Sequence, residues 1–195
     1  MTYLIKILDF VSTILKRITK LKGAERFLYK RILISGMIKE KFKHKLFKLI
    51  RAYDIMVIDP LTIYHDHKKV REFYNDIVES CNKKGYVAYN AHKFTDPYKH
   101  PNINPREVYN IDKKLVSGAR LVVAYVGSPS TGTGQELEIA EDNHVPIILV
   151  YEKNKKISRM VLGNPSVIKK VLFTTFQEAI PKIQKAVESY FEKIA

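Results

Sequence analysis

A single cysteine, Cys81, is the chain's whole supply of thiol. That scarcity excludes a disulfide scaffold and a cysteine-rich metal site. Cys81 falls on the apolar stripe of an expected helix, which makes it a small buried hydrophobe. Nowhere do 18 uncharged apolar residues run together, so no segment reads as a bilayer-spanning helix. No secretory pattern is visible, and the expected compartment is the cytoplasm. Internal repeats and low-complexity linkers are also missing. Acidic side chains are scarce in residues 1–51, where fourteen Lys and Arg face only Asp9, Glu25 and Glu40, a net of +11. The chain's total is +14, so the remainder is close to neutral. Such asymmetry predicts an anionic partner for the first segment, either nucleic acid or an anionic membrane surface.

What is there suffices for a real core: 195 residues, 46% of them apolar, fit one ordinary domain plus an appendage. Leu4, Ile7, Leu8, Val11, Ile14, Leu15, Ile18 and Leu21 recur at helical spacing, and a second apolar stretch runs from Phe27 to Leu49. Residues 1–50 are therefore expected to be a basic amphipathic helical segment. From residue 51 to 195 the pattern changes. Short apolar runs at Asp54–Asp59, Tyr86–Tyr89, Arg120–Val126, Pro146–Tyr151 and Val171–Thr174 read as strands. Between them lie helical stripes: Val70 to Cys81, closed by Gly85; a helix started by Asn104-Pro105-Arg106-Glu107; and a last one through Ile180, Ile183, Val187 and Phe191. Alternation of this kind predicts a doubly wound α/β fold, Rossmann- or flavodoxin-like, with a parallel sheet of about five strands.

In such sheets ligands bind at the carboxyl ends of the strands, which directs attention to the segment after the third strand. It reads Val126-Gly-Ser-Pro-Ser-Thr-Gly-Thr-Gly-Gln-Glu136. No lysine follows its glycines, so it is not a Walker loop, and the spacing is not that of a dinucleotide fingerprint. Its small residues, Ser128, Ser130, Gly132 and Gly134 among them, let backbone N–H groups approach a phosphate or sugar at a helix start. Glu136 is expected in the first turn of that helix, sharing its inner face with Ile139 and Ala140. Asp112 falls in the stripe of Val108, Ile111 and Leu115. A carboxylate on an apolar stripe is costly unless it is paired, protonated or at work. The bland readings are a helix-start charge for Glu136 and a buried cap or salt bridge for Asp112. His65-Asp66-His67 resembles a metal pair, but further spaced ligands are lacking, and no metal or cofactor is expected. Lys68 and Arg71 read as a solvated helix start.

Asp112-(x7)-Arg-Leu-Val-Val-Ala124, Ser130-Thr-Gly-Thr-Gly-Gln-Glu136 and Val145-Pro-Ile together resemble the nucleoside 2-deoxyribosyltransferase family. The likeness spans roughly residues 54–175 and is strongest over 108–163. Its nearest branch is that of the 2′-deoxynucleoside 5′-phosphate N-hydrolases, which have the same Asp, Ser and Glu at the spacings of Asp112, Ser130 and Glu136. The resemblance implies Glu136 as the nucleophile on C1′ of the sugar and Asp112 as the group that assists the base or its departure. Lys156-Ile-Ser-Arg-Met-Val-Leu-Gly163 is similar to the same branch, placing Ser158 where a phosphate-binding serine reaches a partner subunit's site. A homodimer or higher oligomer is thereby implied. The transferase branch has an aspartate at the Ser130 position, so the serine favours a phosphorylated substrate.

Departures from the family pattern bear on substrate more than on reaction. The first strand ends Ile58-Asp59-Pro60-Leu61 where the family has a Gly-containing loop, and Arg120 replaces an acid before the third strand. The basic segment lies outside the compact family domain, and an added module of this kind suits an antiviral or toxin role known for specialised members. Three readings follow: an N-glycosidase of a nucleoside 5′-monophosphate or related nucleotide, a deoxyribosyltransferase, or a nucleotide-sensing or assembly module without turnover.

Overall fold

A computed structural model describes residues 53–60, 67–90 and 95–194. The helical segment expected over residues 1–50, with its anionic partner, lies outside the described residues, as do His65, Asp66 and the side chains of His67 and Lys68.

The apolar runs become strands β1 (Tyr53–Ile58), β2 (Ala88–Asn90), β3 (Ala119–Tyr125), β4 (Ile147–Glu152) and β5 (Val167–Phe173). Between and after them come helices α1 (His67–Lys83), α2 (Pro105–Gly118), α3 (Thr131–Asp142), the short α4 (Arg159–Leu162) and α5 (Phe176–Ile194). All strand pairs are parallel, in the order β2-β1-β3-β4-β5. This is the doubly wound α/β arrangement that the alternation predicts, and in it the chain reverses its winding between β1 and β3.

Two apolar layers hold the sheet. On one face Ile55, Val57, Leu121, Val123, Ile148 and Val150 pack against Phe73, Tyr74 and Ile77 of α1 and Ile183, Val187 and Phe191 of α5. On the other, Met56, Ile58, Val122, Ala124 and Leu149 meet Val116 of α2 and Leu137, Ile139 and Ala140 of α3. Strands covered on both faces need apolar residues at every position, which is why β1 and β3 read as unbroken runs rather than alternations. Cys81 lies in the first layer, and burial pushes its thiol up to about 11.

Local signals operate as read. The Asn104 side chain accepts from the Arg106 N–H at the start of α2, with Pro105 as the first helical residue. Gly85, at φ +87°, ends the turn after α1 in a conformation that L side chains avoid. Two boundaries differ from expectation: β2 begins at Ala88, and β5 starts at Val167 rather than Val171. The reason for the second is chemical. Lys169 and Lys170 sit mid-strand at the sheet edge and interrupt the apolar pattern. Among the described residues no helix is long and apolar enough to cross a membrane.

Candidate active site

The carboxyl ends of β1 and β3 gather acids from three parts of the chain. Asp59 follows β1 directly and is 4% exposed. Glu136, 8% exposed, comes from α3, and the half-buried Asp112 from α2, which packs on α3. Burial raises the Glu136 pKa well above the carboxylate range, and the charges of Asp112 and then Asp59 raise it further. Asp112 is raised by burial too, against a hydrogen bond from the Thr95 hydroxyl at 3.1 Å. For Asp59 burial again dominates, opposed by the Arg71 guanidinium and reinforced by Asp96. Arg71 itself holds the fully buried Asp96 in a two-pronged pair at 2.9 and 3.2 Å, and Asp96 Oδ1 also accepts from the Tyr98 N–H.

One expectation is corrected here. Glu136 lies in the second turn of α3, and no acid occupies the first turn. The helix starts at Thr131, immediately after its Ser130 cap, so Gly132 and Gly134 are helical rather than part of the preceding loop. The dipole therefore does little for Glu136, and burial among like charges governs it. Glu136 is nonetheless the inward member of its acidic run. Glu138 and Asp142 are exposed, and with Glu141 they bring ligand atoms within 4.8 Å of one another on the outer face of α3.

Beside the start of α3 opens a cavity of about 670 Å³. Ser128, Ser130, Thr133, Gly134, Lys156 and Ser158 line it, whereas Gly132, Glu136 and Asp112 do not. Helix α3 thus turns one side to the hydroxyl-lined cavity and another to the acids. Ser130 Oγ accepts from the Thr133 N–H at 3.2 Å, leaving its own proton to donate into the cavity. Buried Thr133 Oγ1 has no hydrogen-bond partner among the described residues. Ser158 caps the short α4 without a side-chain bond and faces the same cavity as Ser128 and Ser130 of its own chain.

Sequence reading passed over Asp59, seen only as an odd ending to β1, and the Arg71–Asp96 pair beside it. The signal for Asp59 was available, since an acid closing a fully buried strand carries the same burial cost as one on an apolar helical stripe. Nothing local announces the partnership of Arg71 and Asp96, 25 residues apart.

No protein-family model matches the sequence. Curated relatives do: the chain is 27% identical over 119 residues, 60% of its length and 73% of the relative's, to a Methanosarcina mazei protein provisionally named 2′-deoxynucleoside 5′-phosphate N-hydrolase 1. Proteins of the same name from Methanosarcina barkeri and Syntrophotalea carbinolica are each 37% identical over shorter stretches, spanning 37% and 44% of those relatives. Among solved structures, the CMP N-glycosidase BcmB of Clostridium botulinum aligns with a TM-score of 0.53 at 16% identity, covering 67% of this chain and 98% of that one. BlsM aligns at 0.60 and 19%, covering 73% and 93%. At such identities the structural likeness speaks for the fold. By sequence the chain is similar to proteins named as 2′-deoxynucleoside 5′-phosphate N-hydrolases, and by fold it matches BcmB and BlsM.

Proposed function

We propose that the chain is an N-glycosidase that releases the base from a nucleoside 5′-monophosphate, with Glu136 attacking C1′ and Asp112 assisting departure of the base. The observation that carries this reading is the burial of Glu136 beside Asp112 and Asp59 at the β1/β3 crevice. Carboxylates crowded in a low-dielectric crevice are poorly stabilised when the site is empty. Positive charge developing at the sugar's anomeric carbon relieves that repulsion, so the transition state is stabilised more than the ground state. A carboxylate that captures this carbon divides a hard displacement into two easier ones.

The phosphate reading rests on the hydroxyl-lined cavity at the start of α3. Ser130 offers a free hydroxyl proton, and the first N–H groups of α3 have no intrahelical acceptors. Ser128, Gly134 and Ser158 line the same space, with Gly132 in the adjoining turn. Family likeness gives Ser158 to a partner subunit's site. In this chain it borders the same cavity as Ser128 and Ser130, and a homodimer remains part of the proposal through the family likeness alone. The names of the sequence relatives support the same substrate class.

The test is base release from a panel of nucleosides and their monophosphates, followed by chromatography. Glu136→Gln is nearly isosteric but a poor nucleophile, and should lower the rate by about 10²-fold or more. Wild-type turnover in that variant removes Glu136 from the mechanism. A second base added to the reaction separates hydrolysis from transfer.

The +11 segment over residues 1–51 belongs to the proposal as a contact for nucleic acid or anionic lipid, or as a link between subunits. Deleting residues 1–48 should spare base release and weaken salt-sensitive binding or self-association. A truncated protein equal to the intact one in every assay removes that role.

A further inference from the structure

The network around the acids continues past Asp112. Its Oδ1 accepts a hydrogen bond from the Thr95 hydroxyl over 3.1 Å, and Thr95 is itself buried. The next residue, Asp96, is fully buried and carries the anchoring contacts. Its carboxylate meets two guanidinium nitrogens of Arg71, at 2.9 and 3.2 Å, and Oδ1 also takes the Tyr98 N–H at 2.9 Å. Its carbonyl accepts from the N–H groups of Lys99 and His100, at 3.1 and 2.8 Å. The Arg71 guanidinium sits over the Tyr98 ring, 5.3 Å from its centroid. A buried carboxylate that loses its cation is costly, so residues 95–100 are bound to stay where Arg71 is. Arg71 belongs to α1 and Asp112 to α2, helices that pack on opposite faces of the sheet. The segment after β2 thus ties one layer to the other.

We propose that Thr95 is a positioning residue for Asp112, held in place by the Arg71–Asp96 pair. This rests on the part given above to Asp112 in departure of the base, and deepens it. With Oδ1 accepting from Thr95, the carboxyl proton belongs on Oδ2, and that oxygen is the one left to serve the substrate. A carboxyl group otherwise turns in a broad twofold well and offers either oxygen. Fixing one of them removes a rotation that the transition state would have to freeze. As Glu136 bonds to C1′, the electron pair of the C1′–N bond leaves with the base, which takes the proton from Oδ2. Asp112 is then ionised, and the Thr95 hydroxyl stabilises that charge against the burial that opposes it. Burial and Thr95 set the Asp112 carboxyl, so Arg71 reaches it through Asp96 and Thr95 and not by its own charge.

The experiment follows the Asp112 carboxyl carbon by NMR as pH is varied, in Glu136→Gln protein so that this neighbour does not titrate with it. Asp59, the remaining acid of the crevice, is common to every variant. Thr95→Val keeps the shape and drops the hydroxyl, and should move the Asp112 titration to higher pH. Thr95→Ser should return it towards the parent's position. Arg71→Lys keeps the charge but not the two-pronged grip, and should move the titration in the same direction as Thr95→Val. In Thr95→Val protein it should add nothing further. If Arg71→Lys fails to fold, Asp96→Asn takes its place in the same cycle. With Glu136 restored, Thr95→Val should lower kcat for base release about 3- to 10-fold and leave KM near the parent's. The monophosphate of 7-methylguanosine, whose cationic base leaves without a proton, should escape that loss. An Asp112 titration unmoved in Thr95→Val overturns the proposal, as does an Arg71→Lys effect that persists in full without the Thr95 hydroxyl. Failure of the functional reading looks different: no base release by the wild-type protein, while the Asp112 titration still answers to Thr95.

Discussion

Glu136 sets stability against use. Burial, Asp112 and Asp59 all raise its pKa, so the folded protein keeps a proton that the unfolded chain releases. Stability must then fall as pH rises from the unfolded value of the group towards its raised folded value. Glu136→Gln removes this linkage. It should raise the Tm near neutral pH and flatten the pH dependence of Tm, while lowering turnover as proposed above. If calorimetric scans across pH show the variant no more stable than the parent, the buried charge is being compensated in a way the geometry does not reveal. In the proposed mechanism the same cause should set the acid limb of the rate profile. A nucleophile must shed its proton, so activity should decline with falling pH already above the ordinary carboxylate range. Asp112→Asn takes away the neighbouring charge with the stronger effect on Glu136 and should move that limb to lower pH. An unmoved limb would mean that Asp112 and Glu136 do not sense one another.

At the level of elements, the β3–α3 connection is held by packing rather than by its own conformational preferences. Gly127 carries no positive φ; it is a glycine because Glu152 and Tyr125 occupy the place of a side chain. Gly127→Ala should therefore cost about 1–3 kcal/mol of stability, measured by urea denaturation, and disturb Ser128 along with it. A neutral effect would show that the Tyr125–Glu152 pair yields easily. This residue also marks the boundary of what sequence reading delivers. Buried runs such as Ile55–Ile58 and Leu121–Val126, the Asn104 cap and the inward Glu136 are written locally, because apolar period and capping chemistry act over a few neighbours. The Tyr125–Glu152 bond joins residues 27 apart, and Asp59 gains its meaning only when β1 lies beside β3. β5 was half hidden for another reason. As an edge strand it carries Lys169 and Lys170, and Lys182 of α5 donates to its Leu172 carbonyl at 3.1 Å. Charges that discourage a stray strand from pairing there also blur the pattern by which a strand is recognised.

For the whole molecule, the order β2-β1-β3-β4-β5 puts the most distant pairing at the centre of the sheet. Neighbours β3 and β4 are joined by the Tyr125–Glu152 bond across 27 residues, whereas Asp54 on β1 reaches Arg120 on β3 across 66. Closing the longer loop costs about 0.8 kcal/mol more in chain entropy. It also brings Asp59 towards Glu136, a step that adds repulsion rather than attraction. The chain therefore has reason to zip β3, β4 and β5 first and to admit β1 last, once a partial core can carry the electrostatic load. Pulse-labelling hydrogen exchange during refolding should find amides of β3 and β4 protected ahead of those of β1. On that timetable, catalytic competence is the final act of folding, and a half-folded chain holds its acids apart.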